Sequence, residues 1–458
     1  MRQINIAILG CGVVGSGVAK LLIEKQQLLE SRIGVSLNLK YVADLDTKTD
    51  RGIKFKDGVF ISDANKAIND PDVDIVVELI GGKTIAKDFI VKALQNAKHV
   101  VTANKALIAS YGNTIVKTAI ENGVDFAFEA SVGGCMPVIK SIRESLVANH
   151  INSITGILNG TCNYILTKIS QEGCPFDLAL KEAQNRGYAE ADPFLDVEGH
   201  DSAHKLAILT AIAYGMEINI EDIHVEGISK ITPMDIEFAK EFGYAIKLLA
   251  ISKNCLDKGS VEARVHPTMI PIALPLAHVN GSMNAVTINA DATGETMLYG
   301  AGAGMMPTAS AVLSDIADIA RNIMAVDIAD TKSAVMSENR INMASNISGR
   351  TRVPILGFQA KNIRKIPILP ITDISTCYYI RLAAEDHPGV LSKITGILGS
   401  RGISIQSVHQ KGRRENGPVP VVMITHRAIE KDVQLALKEI ASLDAIPEMP
   451  VVIRIEDY

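Results

Sequence analysis

Residues that could do acid–base chemistry concentrate in the segment Gly187–Lys205, which reads GYAEADPFLDVEGHDSAHK. Asp201 and Lys205 are four positions apart, which places both side chains on one face of a predicted helix. A lysine held beside a carboxylate can give a proton to, or take one from, a carbonyl or alcohol oxygen. Glu190 and Asp192 lie in a predicted loop, where they could bind a substrate ammonium group. A solvated acidic loop with an ordinary salt bridge is the alternative interpretation.

A second group of residues could hold a dinucleotide. The run INIAILGCGVVG near the start of the chain breaks into glycines at G-x-G-x-x-G spacing. Gly10 permits a tight turn, Gly12 leaves room for a pyrophosphate, and Gly15 lets a helix pack close to the strand. Val13 and Val14 would open that helix, whose free N–H groups favour phosphate. An ordinary glycine turn is the alternative.

The elements that must position these residues follow a simple pattern in the first 130 residues. Short apolar runs alternate with amphipathic stretches, which predicts right-handed βαβ units and a parallel sheet. Ligands of such sheets bind beyond the carboxyl ends of the strands. The predicted strands are Ile4–Leu9, Leu37–Ala43, Asp74–Leu79, His99–Thr102 and Asp125–Glu129.

The carboxyl ends of these strands carry further candidate residues. Asp44 closes the second strand and could bind the adenosine ribose 2′-OH of NAD, whereas Lys48 could meet the 2′-phosphate of NADP. Cofactor preference is therefore open. Ile80 and Gly81 end the third strand and join the predicted cofactor site. Lys105 follows the run HVVTAN, where it could face the substrate oxygen or an anion near the nicotinamide.

Two positions support rival hypotheses. Glu129, followed by the glycine-rich ASVGGCMP, could hold a hard monovalent cation with turn carbonyls, or it could belong to a simple interdomain turn. Cys162, at a predicted helix start, could be the thiolate of a thioester-forming semialdehyde dehydrogenase. The alternative for Cys162 is a small buried apolar residue.

The rest of the chain predicts two further folded regions. An α+β pattern from about 136 to 306 is typical of a substrate-binding and dimerisation domain, and a strong helix follows over Pro307–Asn322. From Thr376 onward the order is βαββαβ, a ferredoxin-like pattern. The predicted boundaries are 1–135 for the Rossmann-type domain, completed by helix 307–325, then 136–306, a connector over 326–374, and 375–458.

Composition excludes several classes of protein. The 458 residues have a net charge of −5 and no basic tract, which argues against nucleic-acid and membrane partners. Six scattered cysteines form no C-x-x-C pair, so neither a disulfide framework nor a zinc site is predicted. A core strand begins at Ile4, which leaves no room for a signal peptide. We therefore expect a cytoplasmic α/β protein.

Together the motifs resemble monofunctional homoserine dehydrogenase with a C-terminal ACT domain. The matching stretches are GCGVVG, VVTANKALIA, FEASVGG, ILNGTCNYIL, GYAEADPFLDVEGHDSAHKLAIL, GAGAGMMPTASAVLSDI and DHPGVLSKITGIL. The resemblance implies reversible, NAD(P)-linked reduction of L-aspartate 4-semialdehyde to L-homoserine, in threonine, methionine and isoleucine biosynthesis. It also implies a homodimer or homotetramer and an amino-acid effector, such as threonine, at the ACT domain.

The resemblance assigns roles to the charged residues. Lys205 would be the proton donor, and Asp201 would orient Lys205 or a bound water. Lys105 would sit between the nicotinamide and the substrate oxygen. Glu190 would hold the substrate amino group, with Asp196 assisting. The presence of these residues argues against a third hypothesis, a non-catalytic amino-acid sensor.

The resemblance also implies two glycine-rich sites. A sodium-type cation would be bound by Glu129 and by the backbone carbonyls of Val132, Gly134 and Met136. A second glycine-rich turn, around Gly300 and Gly302, would close near the cofactor.

Overall fold

The structure is a computed structural model that describes residues 3–336, 353–410 and 418–456. Parts of the predicted connector 326–374 and of the loop after Gln410 lie outside the described residues. All six cysteines are free thiols in the structure. Among the described helices, none combines the length and apolar character needed to cross a membrane.

The described strands follow the predicted order and add several that the sequence patterns did not indicate. They are β1 Gln3–Leu9, β2 Ser36–Ala43, β3 Phe60–Ile61, β4 Ile75–Glu78, β5 His99–Thr102, β6 Phe126–Ala127, β7 Ile151–Ile157, β8 His224–Val225, β9 Tyr244–Cys255, β10 Ser260–Pro271, β11 Met283–Ala290, β12 Gly294–Ala301, β13 Ser375–Glu385, β14 Ile405–Gln410, β15 Pro418–Thr425, β16 Ala428–Ile429 and β17 Val451–Ile455.

The helices alternate with these strands. They are α1 Val13–Glu24, α2 Gln26–Ile33, α3 Ala64–Asn69, α4 Thr84–Gln95, α5 Lys105–Glu121, α6 Val138–Lys140, α7 Gly160–Glu172, α8 Phe176–Asn185, α9 Phe194–Val197, α10 His200–Tyr214, α11 Pro233–Glu241, α12 Met305–Met336, α13 Val390–Ser400 and α14 Glu430–Ile440. A 3₁₀ turn at Glu129–Ser131 and a π-helical turn at Ser141–Ser145 flank α6.

The chain divides into two compact units. The first consists of Met1–Ile154, His204–Glu221 and Met283–Ile366, and the second of Thr155–Ala203, Asp222–Ser282 and Pro367–Tyr458. The division falls within α10, so Asp201 belongs to the second unit and Lys205 to the first.

The first unit is built on a six-stranded parallel sheet in the order β3-β2-β1-β4-β5-β6. Its central strand β1 is apolar on both faces, because helices cover both sides of such a sheet. Ile4, Ile6 and Ile8 are fully buried, and Val312 and Ile316 of α12 belong to the same hydrophobic core. The predicted Rossmann-type parallel sheet is confirmed, and α12 packs with it.

The first unit also contains the antiparallel hairpin β11–β12, in which Asn284 pairs with Gly300 and Ala290 with Gly294. The sequence patterns did not predict β12. Gly300 and Ala301 end this strand, so the glycine-rich turn proper begins one residue later, at Gly302. Glycine is depleted in strands, and the full-length pairing with β11 outweighs that tendency here.

The second unit contains a mixed sheet whose strands run in the order β9-β10-β17-β13-β15-β14. We call its residues 375–456 the C-terminal module, and its parts within 155–282 the central module. The C-terminal module has the order β13-α13-β14-β15-α14-β17, which confirms the predicted βαββαβ fold. Its last strand pairs in parallel with β10, with Thr268 opposite Arg454.

Candidate active site

The glycine motif forms an open cradle at the end of β1. Gly10 has a φ of +94°, and a Cβ there would lie 2.6 Å from the carbonyl carbon of Leu79. A Cβ on Gly15 would lie 2.0 Å from the oxygen of Gly10, whereas one on Gly12 would meet nothing within 4 Å. Gly10 thus lies in a tight turn, Gly15 packs closely against the Gly10 backbone, and Gly12 leaves open space of the kind that suits a pyrophosphate.

Asp44 braces this cradle from the end of β2. Its Oδ2 accepts a hydrogen bond of 2.6 Å from the Cys11 N–H. Arg51 lies beside it, with Nη2 3.6 Å from the Asp44 carboxylate, and its Nε donates to the Cys11 carbonyl at 2.6 Å. Arg51 rather than Lys48 is therefore the cation that lies beside Asp44, and sequence reasoning missed it.

A buried carboxyl group organises the loops before Lys105. Glu78 is fully buried at the end of β4, and it accepts hydrogen bonds from the Thr102 hydroxyl at 2.7 Å and from the Ile80 N–H at 2.8 Å. Burial raises its pKa, and these hydrogen bonds partly oppose the shift. Ile80 and Gly81 are thereby held against the sheet edge.

Lys105 is the first residue of α5, and Asn104 caps that helix. The Asn104 side chain accepts from the Leu107 N–H at 3.1 Å and donates to the Gly82 carbonyl at 2.6 Å. Its own N–H donates to the Thr102 hydroxyl at 3.1 Å. This network fixes the half-buried Lys105 at the carboxyl edge of the sheet, as predicted.

Glu129 is buried within a tight turn. Its carboxylate oxygens accept from the N–H groups of Ile139, at 3.0 Å, and Lys140, at 2.9 Å. Burial, and then the nearby Asp315 carboxylate, raise the pKa of Glu129 to about 8. One carboxylate with turn carbonyls suits a hard monovalent cation, although the Met136 carbonyl also accepts from Val138 N–H at 2.8 Å. Within the described ranges, Glu129 included, no three His, Cys, Asp or Glu side chains form a group that could hold a metal ion.

The two predicted glycine-rich segments meet each other in the first unit. A Cβ on Gly134 would lie 2.6 Å from the carbonyl of Gly302, and the Cys135 N–H donates to the Ala301 oxygen at 3.3 Å. The Gly302 backbone also packs closely against the buried side-chain amide of Asn284, since a Cβ on Gly302 would lie 2.1 Å from Asn284 Nδ2. The two polar atoms of that amide have no hydrogen-bond partner in the described part of the chain. The turn leads into α12, whose Met305 oxygen lies 2.9 Å from a Cβ built on Gly17 of α1.

Asn159 brings two of the predicted substrate residues together in the second unit. Its Nδ2 donates to Asp196 Oδ1 at 2.7 Å and to Asp201 Oδ2 at 3.0 Å. Its Oδ1 caps α7 by accepting from the Cys162 N–H at 2.7 Å. Asp201 is buried in the first turn of α10, and Lys205 is buried one turn later on that helix.

Glu190 lies on the exposed loop between α8 and α9. Gln184 holds the backbone of this loop by donating to the Glu190 carbonyl at 3.2 Å, and Thr161 donates to the Tyr188 carbonyl at 2.6 Å. Glu190 is therefore exposed, and it lies on a loop that hydrogen bonds attach to α7 and α8.

Cys162 does not have the surroundings of a nucleophile. Its side chain is fully buried, and its thiol donates to the Asp196 carbonyl at 3.0 Å. A reactive cysteine needs an accessible thiolate. The interpretation as a small buried residue therefore agrees better with the structure.

Several residues have supporting roles that sequence reasoning did not predict. Asn104 and Asn159 each stand directly before a helical pattern, which is the usual signal for a helix cap. Arg51, Glu78 and Asn284 carry no comparable local signal, because their partners are distant in the sequence.

A Rossmann-type sheet with an open glycine cradle and a lysine at its carboxyl edge is typical of a nicotinamide-dependent oxidoreductase. Comparison with protein families agrees: the model described as "Homoserine dehydrogenase, NAD binding domain" matches residues 10–129, "Homoserine dehydrogenase" matches 137–317 and "ACT domain" matches 378–445.

Similar proteins carry the same description over their whole length. A homoserine dehydrogenase from Neisseria gonorrhoeae is 43% identical over 456 residues, covering 100% of this chain and 99% of its own. The crystal structure of a homoserine dehydrogenase from Thiobacillus denitrificans has a TM-score of 0.89 at 42% identity, covering 100% and 99% of the two chains. A hyperthermophilic archaeal homoserine dehydrogenase in complex with NADPH has a TM-score of 0.58 at 28% identity, covering 69% and 97%. The chain belongs to the homoserine dehydrogenase family.

Proposed function

We propose that the chain reversibly reduces L-aspartate 4-semialdehyde to L-homoserine with NAD(P), a step toward threonine, methionine and isoleucine. The observation that carries the proposal is the Asn159 amide bound to both Asp196 and Asp201, at the start of the helix that bears Lys205. Two carboxylates and a lysine supply both a binding site for an ammonium group and a proton for the reacting oxygen.

The glycine cradle supports a dinucleotide cofactor. Gly12 leaves the open space, and Val13 and Val14 begin the helix whose N–H groups face it. Ile80, Gly81, Gly300 and Gly302 complete the proposed cofactor-binding set. Bound nicotinamide would supply or accept the hydride at the C4 carbon of the substrate.

The choice between NAD and NADP depends on two side chains at the end of β2. Asp44 favours a free ribose 2′-OH, and Arg51, 3.6 Å away, favours a 2′-phosphate. The archaeal relative is described with NADPH, and the Arg51 position supports the same preference here.

Proton transfer is assigned to Lys205. It gives a proton to the aldehyde oxygen as the carbon gains a hydride, and it takes the proton back during oxidation of the alcohol. Asp201 orients Lys205 or a water, and Lys105 polarises the same oxygen from the sheet edge. Glu190 and Asp196 bind the substrate ammonium group.

A sodium-type cation is proposed at Glu129, with the carbonyls of Val132, Gly134 and Met136. The buried carboxylate supports this site, because a nearby cation would offset its burial and its repulsion by Asp315. We propose no catalytic step for this cation.

The C-terminal module belongs to the ACT family, which supports regulation by an amino acid such as threonine. We further propose a cytoplasmic homodimer or homotetramer. We also propose a Rossmann-type domain over 1–135, completed by helix 307–325, a substrate-binding domain over 136–306, a connector over 326–374 and an ACT domain over 375–458.

A spectrophotometric assay tests the proposed function. L-homoserine is oxidised with NAD or NADP, with and without sodium and threonine, by the full chain and by the Lys205→Ala variant. We expect Lys205→Ala to lower turnover at least about a hundredfold, the usual contribution of a general acid–base group. Cys162→Ser is the control and should change turnover only modestly.

Lys205 would be excluded from the chemistry by a Lys205→Ala turnover close to that of the wild type. Loss of nearly all activity in Cys162→Ser would instead favour the thioester mechanism.

A further inference from the structure

Arg454 joins the C-terminal module to the central module. It is 1% exposed and donates two hydrogen bonds to Glu430 of α14, at 2.8 and 2.6 Å. It donates two more to Glu226, which follows β8 of the central module, both at 2.9 Å. A planar guanidinium is suited to holding two carboxylates at once in this way.

Glu226 belongs to a segment that packs backbone to backbone against the loop before α10. The Ile228 N–H donates to the Val197 carbonyl at 2.8 Å. A Cβ on Gly227 would lie 2.4 Å from that same oxygen, closer than any side chain can approach. The segment 225–228 is therefore in direct contact with the segment 197–199.

The loop also approaches that segment through Gly199. A Cβ on Gly199 would lie 3.3 Å from the Glu226 carbonyl, and its φ of +84° favours glycine. Gly199 stands between Asp196 and Asp201. We therefore expect a displacement of segment 225–228 to be transmitted, through the hydrogen bond from Ile228 to Val197, to the chain that carries both carboxylates.

We propose that Arg454 is a positioning residue for Asp196 and Asp201, acting through Glu226 and the backbone contact between segments 225–228 and 197–199. The expected change in substrate affinity rests on the proposed function, since those carboxylates are the proposed substrate-binding residues. The expected change in backbone position does not. The last strand of the C-terminal module would thereby influence substrate binding through a chain of direct contacts.

A second ion pair in the same unit provides a matched control. Arg381 of β13 donates to both oxygens of Asp235, at 2.6 and 3.1 Å. Asp235 is fully buried in the first turn of α11, where it forms a capping box with Thr232. The Arg381–Asp235 pair therefore joins the two modules at α11 rather than at segment 225–228.

The test compares the full-length variants Arg454→Lys, Glu226→Gln and Arg381→Lys. Lysine keeps the charge but cannot hold two carboxylates in a fork. The first readout is amide hydrogen exchange of the peptides that contain 197–201 and 226–229, measured without ligand. The second is the Michaelis constant for L-homoserine, with that for the cofactor and kcat measured in parallel.

We expect Arg454→Lys and Glu226→Gln to speed exchange in both peptides and to raise the KM for L-homoserine about tenfold, with the KM for the cofactor unchanged. Arg381→Lys should leave exchange in those peptides as in the wild type. Unchanged exchange in the first two variants, or an equal increase in Arg381→Lys, would overturn the proposal. If the wild type fails to oxidise L-homoserine, the proposed function is wrong, and the exchange data still decide the role of Arg454.

Discussion

At the scale of single residues, Asn159 has two separable roles. Its side-chain oxygen caps α7, and its side-chain nitrogen binds Asp196 and Asp201. Two like charges held this close repel each other, and the shared amide offsets part of that cost. The cap stabilises the helix, whereas the amide nitrogen arranges the carboxylates.

Replacing Asn159 with serine separates the two roles. Serine caps helices about as well as asparagine but has no amide nitrogen. We expect Asn159→Ser to lose less stability than Asn159→Ala, because serine keeps the cap, and to lose roughly ten- to a hundredfold in kcat/KM for L-homoserine, the value of hydrogen bonds to charged groups.

Steady-state kinetics and thermal melting measure the two effects. Asn159→Ala, which loses both roles, is the reference and should lose stability as well. Wild-type kinetics in Asn159→Ser would show that the amide nitrogen is dispensable for the carboxylate pair.

At the scale of elements, the β1–α1 connection shows how one motif combines packing and binding. Gly15 has no room for a side chain, because a Cβ there would be 2.0 Å from the Gly10 oxygen. Gly12 has room, and its backbone has a negative φ of −71°. Packing therefore requires glycine at Gly15, whereas the fold leaves room for a side chain at Gly12, where the proposed cofactor would lie.

The two glycines should respond differently to alanine. Gly12→Ala should keep the wild-type melting temperature and weaken NAD(P)H binding at least about tenfold, or about 1.4 kcal/mol. Gly15→Ala should lower the free energy of unfolding by about 1–3 kcal/mol, as overpacking does. Calorimetric titration with NAD(P)H and denaturant unfolding measure these changes. Tight cofactor binding by Gly12→Ala would contradict the assigned role.

The elements themselves were largely predictable. The predicted strand His99–Thr102 has the same bounds in the structure. A short apolar run between two helical patterns is too short for a helix and is therefore readily recognised as a buried strand. Several elements were missed, among them β3, β12 and α11. The glycines of β12 obscure its strand pattern, because glycine is depleted in strands. The start of α11 is indicated by the capping box Thr232–Asp235, a signal that sequence reasoning did not use.

The candidate site was predictable only in part. The relation of Asp201 to Lys205 is local, since it follows from helical spacing. The contacts of Asn159 with Asp196 and Asp201 span 37 and 42 residues, and Arg454 contacts Glu226 across 228 residues. Such contacts depend on tertiary packing, which local patterns do not encode.

At the scale of the whole molecule, buried ion pairs tie the chain's C-terminal part to its middle. Burial by itself would raise the pKa of Glu226, but hydrogen bonds from His224 and Arg454 outweigh burial and hold it below the ordinary value of 4.5. A carboxylate with a depressed folded-state pKa stabilises the fold fully above its unfolded-state pKa. That stabilisation is lost as the pH falls through the folded-state pKa.

We therefore predict that acid destabilises the protein partly through Glu226. The free energy of unfolding of the wild type should fall steeply from about pH 5 downward, and Glu226→Gln should have a shallower slope over the same range. Urea unfolding at a series of pH values measures both slopes. Glu448→Gln, at an exposed position, is the control and should keep the wild-type slope. Equal slopes in all three proteins would exclude Glu226 from the acid response.

The parallel pairing of β17 with β10 has a consequence for any shortened form of this chain. One side of β10 is covered in turn by Ile368, β8 and β17, and two of these three lie after residue 366. A truncation there would leave backbone N–H and C=O groups on an open edge strand, which is prone to aggregate. Exchanging the C-terminal module of this chain for another therefore requires a replacement strand to pair with β10.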